Sequence, residues 1–516
     1  MIRTACIIVF YLLITQLSVA QPSIQWQKAF GGSSYDDPYD IVQISSGGYL
    51  VVGTTASNDG DIFGDYGSLD YWILKLNEQG SVLWKKLLGG SLNDIPRSVA
   101  ETQDGGFIVA GYSNSSDIDV IGNHGGSIDG WIVKLNKFGM KEWTKAIGGS
   151  KWDEIHSVKT TSDNGCIVVG KTDSNNGDVS ISNGKLDVWV VKLDAQGEIE
   201  WEKSYGGSED DESSSVIICS DGGYLVVGET SSIDGDVIGQ HGSVDFWVLK
   251  LRPNGDMEWQ KTLGGTGGDY GSDGLETTNG DYVITGYVGS HNSGDVTGHD
   301  QLGSFDYWIV RLDKDGDIKW QKTAGGSSAD WARQIVQSPQ GGFIVTGTTI
   351  SLDGDVINNV EVPNFWLIKL SEEGELLWQK TYGGSMSDRS YAISNTNDSG
   401  YILAGYTWST DGDAAGANYH GYSDFWIVKL SPENTSPTQT PETETLKLYP
   451  NPCGASVLLE IPEADELEII LTDISGKTLL AKKMSGAQEQ LNLANLPRGV
   501  YLLRVGKWAE VVYKTE

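Results

Sequence analysis

The 516-residue sequence is poor in cysteine, in positive charge and in long hydrophobic runs. Its 4 Cys residues include three beyond the N-terminal segment, Cys166, Cys219 and Cys453, whose spacing favours neither a disulfide framework nor a zinc site. Its 36 Lys and Arg residues are outnumbered by 70 Asp and Glu residues, giving a net charge of −34. Because nucleic acids and anionic membranes attract clustered positive charge, we expect neither as a partner.

The N-terminus predicts export. Arg3 precedes an apolar stretch over residues 7–17, and the small residues Ser18-Val19-Ala20 are typical of a signal peptidase site. We therefore expect a signal peptide at residues 1–20 and a mature chain from Gln21. No later run reaches the roughly 18 apolar residues of a transmembrane helix, so no transmembrane segment is predicted.

Glycine and tryptophan are abundant, with 67 and 18 residues, and they recur at a fixed period. Self-similarity at this period indicates a repeat architecture. A W-x-K-x-x-G-G segment begins at Trp26, Trp84, Trp143, Trp201, Trp259, Trp320 and Trp378. A second segment, W-(I/V/L)-(V/I/L)-(K/R)-L, begins at Trp72, Trp131, Trp189, Trp247, Trp308, Trp366 and Trp426.

Each repeat is predicted to form four antiparallel strands, because period-2 apolar patterns alternate with Gly-rich turns. In the first repeat these strands are A, Asp40–Ser45; B, Tyr49–Thr55; C, Asp70–Leu76; and D, Val82–Leu88. Four strands in a repeat of this length are typical of a β-propeller blade.

The two ends of the repeat region complement each other. The seventh strand C ends at Leu430 with no strand D behind it, whereas Ile24–Phe30 has the pattern of a strand D without its own blade. The sequence thus predicts an all-β, seven-bladed propeller over residues 21–430, closed by its N-terminal strand so that no sheet edge is left free. An open solenoid is the alternative, and it would leave two edges unpaired.

The repeats carry G-G-Y-(L/I)-V-V-G-T, S-x-D-G-D-V and D-x-W-(I/V)-V-K-L segments. With these motifs the region resembles the SBBP-type β-propeller repeat family of secreted bacterial proteins. The resemblance implies a fold and a surface location, and it implies no single activity.

The C-terminal part differs in composition. Residues 431–445 contain three prolines and no large apolar residue, which predicts a linker, and residues 446–516 predict a small Ig-like β-sandwich. This last segment resembles a type A C-terminal sorting domain of the type IX (Por) secretion system of Bacteroidetes. The resemblance implies the secretion machinery as a partner and removal of the tail after export, with release or surface attachment. The residues that carry it are Tyr449, Pro450, Asn451, Pro452, Gly476, Lys477, Gly499 and Tyr501.

Aspartates recur in the predicted loops and offer oxygen ligands that suit calcium. The candidate metal ligands are Asp59, Asp61, Asp234, Asp236, Asp353, Asp355, Asp411 and Asp413. The competing interpretation is that these side chains cap tight Gly turns, and the absence of a D-x-(D/N)-x-(D/N)-G loop favours it. Calcium is the one cofactor that the sequence suggests.

Ligand specificity is expected where the seven repeats differ. One position, seven residues after each Gly-Gly pair, varies around the predicted propeller, and Trp152 and Trp331 lie in nearby loops, where they could stack on sugars or aromatic groups. The alternative is drift at an exposed position with aromatic packing of the loops. The varying position is occupied by Tyr39, Arg97, His156, Ser214, Ser272, Arg333 and Tyr391.

No catalytic residue is predicted, because the sequence shows no nucleophile elbow, no P-loop and no sialidase box. We expect a non-catalytic, monomeric propeller that binds an extracellular glycan or protein through an acidic loop face. The alternatives are a secreted carbohydrate-active hydrolase or lyase and a structural surface component.

Overall fold

The computed structural model describes residues 21–433, apart from 65–66, 126, 299–304 and 418, and residues 447–449, 453–460, 466–473, 477–485, 488–505 and 508–515. The described residues form two compact units, one within residues 21–433 and one within residues 447–515. The predicted signal peptide, most of the predicted linker, and Pro450, Asn451, Pro452 and Gly476 lie outside the described residues.

The first unit contains, among its described residues, seven four-stranded antiparallel sheets with the strand order A-B-C-D. Strand A spans Asp36–Gln43, Asp94–Glu101, Asp153–Thr160, Asp211–Ile218, Asp269–Glu276, Asp330–Gln337 and Asp388–Asn395. Strand B spans Tyr49–Thr55, Phe107–Ser113, Cys166–Thr172, Tyr224–Thr230, Tyr282–Val288, Phe343–Thr349 and Tyr401–Thr407. Strand C spans Asp70–Leu76, Asp129–Leu135, Asp187–Leu193, Asp245–Leu251, Asp306–Leu312, Asn364–Leu370 and Asp424–Leu430. Strand D spans Val82–Leu88, Lys141–Ile147, Ile199–Tyr205, Met257–Leu263, Ile318–Ala324, Leu376–Tyr382 and, in the seventh sheet, Ile24–Phe30.

The sheets pack face to face through strands B and C, whose apolar side chains are buried on both faces. The strand C tryptophans are among the largest fully buried side chains. Where the neighbouring sheet offers an aromatic side chain, the tryptophan packs against it. The ring centroids of Tyr71 and Trp131 are 4.5 Å apart, and those of Phe425 and Trp72 are 4.7 Å apart. Burial of a large apolar side chain contributes about 1.5–3 kcal/mol, so these contacts are a major source of stability.

The seventh sheet is completed by the N-terminal strand. Ile24–Phe30 pairs antiparallel with Asp424–Leu430, with Gln27 opposite Val428. The Trp426 indole donates a hydrogen bond to Gln27 at 2.6 Å, and the Tyr382 hydroxyl donates one to the Pro22 carbonyl at 3.1 Å. The start and the end of this unit are therefore held in one sheet.

Strand A and the linker differ from the sequence predictions. The first strand A covers Asp36–Gln43, starting four residues before the predicted Asp40, because Asp36 already pairs with Thr55 of strand B. Residues 431–433 belong to the first unit: the Ser431 amide donates to the Ser23 carbonyl at 2.8 Å, and Glu433 forms a buried ion pair with Lys369 at 3.0 Å. A linker beginning at residue 431 is therefore wrong for these three residues.

The second unit is a small all-β domain. One sheet contains Lys447–Tyr449, Ser456–Glu460 and Gln488–Asn492, and the other contains, in spatial order, Thr478–Ser485, Glu466–Asp473, Gly499–Val505 and Trp508–Lys514. Buried side chains from both sheets, including Val457, Leu491, Ile469 and Leu503, form one core.

The described residues contain one short 3₁₀ helix, Gly412–Ala414. None of their helices is long and apolar enough to span a membrane.

Candidate functional site

The aspartate that begins each strand A shapes the loop in front of it. Asp36 Oδ2 accepts hydrogen bonds from the Gly32 amide and the Ser57 hydroxyl, both at 2.8 Å. Burial raises the pKa of Asp36 to about 6 and that of Asp330 to about 7. These carboxyl groups are therefore structural parts of the loops. The seven residues are Asp36, Asp94, Asp153, Asp211, Asp269, Asp330 and Asp388.

The candidate calcium ligands also bind backbone amides. Four of them accept a hydrogen bond at 2.7 Å from the serine after the Gly-Gly pair, in the pairs Ser33–Asp59, Ser208–Asp234, Ser327–Asp353 and Ser385–Asp411. The other four accept a long hydrogen bond, at 3.3–3.4 Å, from the first Gly of the pair, in the pairs Gly31–Asp61, Gly206–Asp236, Gly325–Asp355 and Gly383–Asp413.

These backbone hydrogen bonds lower the pKa of Asp59, Asp353 and Asp411. Across the described part of the chain, no group of three or more His, Cys, Asp and Glu residues is arranged to hold a metal ion. The geometry thus matches the capping interpretation, in which the aspartates join the D-to-A loop to the B-to-C loop.

The varying position of the repeats coincides with a β-bulge. In each strand A the pairing register skips one residue, for example Tyr39 between Pro38 and Asp40, and Arg97 between Pro96 and Ser98. A bulge leaves its extra residue outside the ladder and redirects the side chain. The skipped residues are Tyr39, Arg97, His156, Ser214, Ser272, Arg333 and Tyr391.

The seven bulged residues line a single cavity of about 290 Å³, which we call the strand-A cavity. The sequence predicted these seven residues as a set, and in the structure all seven line this cavity. Tyr39 and Tyr391 lie edge to face, with ring centroids 5.6 Å apart. The lining thus combines two phenol rings, two guanidinium groups, an imidazole and two serine hydroxyl groups.

The two arginines of the cavity are held by aromatic rings. Arg97 lies over the Tyr39 ring at 4.7 Å and donates a hydrogen bond to the Tyr112 hydroxyl at 3.2 Å. The Arg333 guanidinium lies 6.0 Å from the centroid of the Tyr287 ring and 5.9 Å from that of the Tyr391 ring. Neither guanidinium forms an ion pair with a carboxylate of the described residues, and Arg97 Nε is buried without a hydrogen-bond partner there.

His156 is fixed on both sides of its ring. Nδ1 lies 2.7 Å from the Ser213 carbonyl, and Nε2 lies 2.9 Å from Glu154. Glu154 also accepts a hydrogen bond from the Trp152 indole at 2.8 Å. Although burial opposes ionisation, the bond from His156 and the charge of nearby Lys171 lower the pKa of Glu154 to about 2.

A pair of glutamates lies on the neighbouring strands. Glu212 and Glu229 are directly opposed in strands A and B of the fourth sheet, and Lys171 pairs with Glu212 at 3.0 Å. Burial, and then the charge of Glu212, raise the pKa of Glu229 to about 8. The carboxyl group of Glu229 is thus largely protonated at neutral pH.

The cavity continues toward a polar floor formed by the next residues of strand A. Asp40 accepts a hydrogen bond from Ser98 at 3.0 Å, and Asp273 accepts one from Ser215 at 2.6 Å. Burial raises the pKa of both carboxyl groups, and the charge of Lys159 partly offsets this effect.

Trp152 and Trp331 do not line the strand-A cavity. Trp152 is 42% exposed and lies under the Lys171 amine at 5.4 Å, and Trp331 lies beside the Arg389 guanidinium at 5.8 Å. Trp152 directly precedes its strand A, whereas Trp331, which was predicted in a loop, lies within the strand Asp330–Gln337. Neither residue contributes to the lining formed by the seven bulged residues.

A second varying position was not predicted from the sequence. In each repeat, the residue that directly follows the strand B glycine pairs with a residue of strand A. Two members of this set, Tyr112 and Tyr287, contact the cavity arginines. The same criterion, disagreement among repeats, would have found it. The set is Thr54, Tyr112, Lys171, Glu229, Tyr287, Thr348 and Tyr406.

A larger cavity, of about 600 Å³, lies between loops of the sixth and seventh repeats. Its lining includes Gly383, Gly384, Asp411 and Asp413, which have equivalents in the other repeats. We place the candidate site at the smaller strand-A cavity, because there the residues that differ between repeats converge.

The described residues of the predicted sorting motif lie in or next to strands of the second unit. Tyr449 ends the first strand, Gly499 begins the strand that contains Tyr501, and Lys477 precedes Thr478–Ser485. Tyr501 is buried, and its hydroxyl donates a hydrogen bond to the Pro497 carbonyl at 2.6 Å.

Comparison with known proteins agrees with these observations. Residues 447–515 match the family model of the secretion system C-terminal sorting domain. No curated protein matches the chain.

Solved structures with a related fold include β-propellers. The β-propeller domain of the Trilobed protease from Pyrococcus furiosus is 11% identical, over 80% of this chain and 97% of its own, with a TM-score of 0.41. Sqt1 from Chaetomium thermophilum is 13% identical, over 80% and 100%, with a TM-score of 0.41. The Pan2 WD40 domain from Neurospora crassa is 11% identical, over 77% and 97%, with a TM-score of 0.40.

At these identities and scores, the similarities say nothing about activity. The all-β chain has repeated four-stranded sheets and a propeller-like fold. It ends in a C-terminal sorting domain of the type IX secretion system, which makes it a secreted or cell-surface protein.

Proposed function

We propose that this protein is a non-catalytic, closed seven-bladed propeller of SBBP-type repeats that binds an extracellular glycan or protein in the strand-A cavity. The pairing of Ile24–Phe30 with Asp424–Leu430 supports closure, because it pairs a strand edge that would otherwise be free.

One observation carries the binding proposal. The repeats share their loop aspartates, Gly-Gly pairs and buried tryptophans, which the fold requires, and they differ at the bulged residue of strand A. All seven bulged residues line the same cavity. Side chains that the fold leaves free to vary, gathered around one concave surface, are typical of a ligand site.

The test is binding of the mature full-length protein to a glycan and polysaccharide array and to extracellular proteins. Tyr39→Ala with Tyr391→Ala should weaken binding at least about tenfold, because these rings form the aromatic side of the cavity. Phe138→Ala is the matched control, since this 66% exposed ring lies in a C-to-D turn outside the cavity lining.

Binding unchanged by the tyrosine substitutions would contradict the proposed site. A blank array would favour a structural surface component.

The second candidate function is a carbohydrate-active hydrolase or lyase, and the Glu212–Glu229 pair favours it. A carboxyl group held protonated near neutral pH, as Glu229 is, can serve as a general acid. Release of products from an array polysaccharide, abolished by Glu229→Gln, would establish this activity and exclude the non-catalytic proposal.

A further inference from the structure

The two arginines of the strand-A cavity are unusual for this chain. With 70 acidic residues for 36 basic ones, most buried cations find a carboxylate partner: Lys134, Lys192 and Lys250 of strand C each pair with one at 2.7–3.2 Å. Arg97 and Arg333 contact tyrosines instead. Two cations without carboxylate partners around one cavity form a ready site for an external anion.

The acidic groups nearby do not cancel this charge. Glu154 is held by His156 and Trp152, and Glu212 by Lys171. Glu229 is largely uncharged at neutral pH, because its pKa is raised to about 8.

Two further carboxyl groups, Asp40 and Asp273, lie in the floor near Lys159, and their pKa values are raised by burial. Asp37, near Arg389, accepts a hydrogen bond from Ser423 at 2.8 Å, and burial raises its pKa too. The seven residues that line the strand-A cavity themselves include no carboxylate.

The size and the aromatic wall of the cavity narrow the choice of ligand. A volume of about 290 Å³ lies at the lower end of ligand cavities, roughly 300–1,000 Å³, and suits one terminal group rather than a chain segment. Tyr39 and Tyr391 stand beside the guanidinium groups and offer ring faces and hydroxyls to a sugar.

We propose that the strand-A cavity binds the anionic group, a carboxylate or a sulfate, of an acidic glycan, with Arg97 and Arg333 contacting the anion and Tyr39 and Tyr391 contacting the sugar. This assignment rests on the proposed binding function and specifies its ligand.

The test compares charged polymers with neutral counterparts, using the mature full-length protein at physiological ionic strength. Polygalacturonate is paired with its methyl ester, dextran sulfate is paired with dextran, and poly-glutamate represents an acidic protein. We expect binding to at least one acidic glycan, about tenfold or more tighter than to its neutral counterpart, because charge-assisted hydrogen bonds to a guanidinium contribute that much.

Variants locate the interaction. Arg333→Gln should weaken binding about tenfold or more, and because this side chain is exposed, the fold does not depend on it. Arg97→Gln should do the same, with its melting temperature measured alongside. The control is Arg252→Gln with Lys314→Gln, which removes two exposed cations of the C-to-D turns and should change binding less than about twofold.

The other outcomes overturn the assignment in distinguishable ways. Equal binding of neutral polymers, lost in Tyr39→Ala and unaffected in Arg333→Gln, would refute the anion and leave the binding function intact. Equal weakening by the control variant would indicate nonspecific charge attraction. Binding of poly-glutamate alone would replace the glycan with an acidic protein. Absence of binding to every polymer would refute the assignment, and a blank array as well would refute the proposed function.

Discussion

At the scale of single residues, the aspartates that recur in every repeat have structural contacts. The repeated aspartates accept hydrogen bonds from loop amides and hydroxyls, and those at the start of strand A are fully buried. A calcium site needs carboxylate oxygens that converge on one point, whereas the candidate ligands in the B-to-C loops accept hydrogen bonds from backbone amides of the D-to-A loop.

The buried aspartates give a prediction for the pH dependence of stability. The pKa of Asp330 is about 7 in the folded protein, against 3.8 for an exposed aspartate. The folded state therefore binds more protons between these values, and the stabilisation, complete below pH 3.8, is lost as the pH rises through 7. The melting temperature should be higher at pH 5 than at pH 8.

Asp330→Asn should reduce this difference between pH 5 and pH 8. Asp353→Asn is the matched control, because this exposed carboxylate has a pKa below its usual range and stays ionised across the interval. Below pH 4 the trend should reverse, since carboxylates such as Asp104, whose pKa is lowered to about 2 chiefly by a hydrogen bond from Thr102, then lose their stabilising charge. A melting temperature that rises steadily from pH 5 to pH 8 would contradict the prediction.

At the scale of elements, the Gly-Gly pair and the strand A bulge determine the site. Gly89, the first residue of the second Gly-Gly pair along the chain, has no room for a side chain. A Cβ atom there would lie 2.2 Å from Asp70 Oδ1 and 2.7 Å from Asp94 Oδ2. The loop can bring two buried carboxyl groups together only around a glycine.

Gly89→Ala should therefore lower the free energy of unfolding by about 1–3 kcal/mol, as overpacking of a buried site does. Ser91→Ala, an exposed change in the same loop, should alter it by less than about 0.5 kcal/mol. Chemical denaturation measures both, and equal effects of the two substitutions would show that the contact is unimportant.

The bulge itself was not predicted. Strand A was expected near Asp40–Ser45, with Tyr39 at its start. In the structure Tyr39 lies within the strand as its unpaired residue. Period-2 patterning assumes an unbroken register, so it fails where an extra residue is inserted.

At the scale of the whole molecule, stability depends on pairing between the two ends of the repeat region. Deletion of residues 21–30 should lower the melting temperature by about 10 °C or more, because it frees the edge of the seventh sheet and removes the buried side chains of Ala29 and Phe30. Differential scanning calorimetry provides the measurement.

Deletion of residues 446–516 is the control for this experiment, since it leaves every strand of the seven sheets in place. The unfolding transition of the repeat region should then stay within about 2 °C of its original temperature. A normal melting temperature without residues 21–30 would contradict closure by the N-terminal strand.

The sequence by itself determined the elements that repeat. Strands B, C and D of the first repeat and Ile24–Phe30 have the predicted bounds, because Trp, β-branched residues and Gly turns recur seven times in the same local pattern. The seven members of the candidate site were also found this way, as the position where the copies disagree.

Only the tertiary structure decided what those residues do. The cavity exists because seven bulges, far apart in the chain, turn their side chains toward one space. The cationic character of that space depends on which carboxylates are bound elsewhere and which are protonated by burial. The cavity and its charge depend on distances between repeats and on local desolvation, and neither quantity can be derived from the repeat period of the sequence.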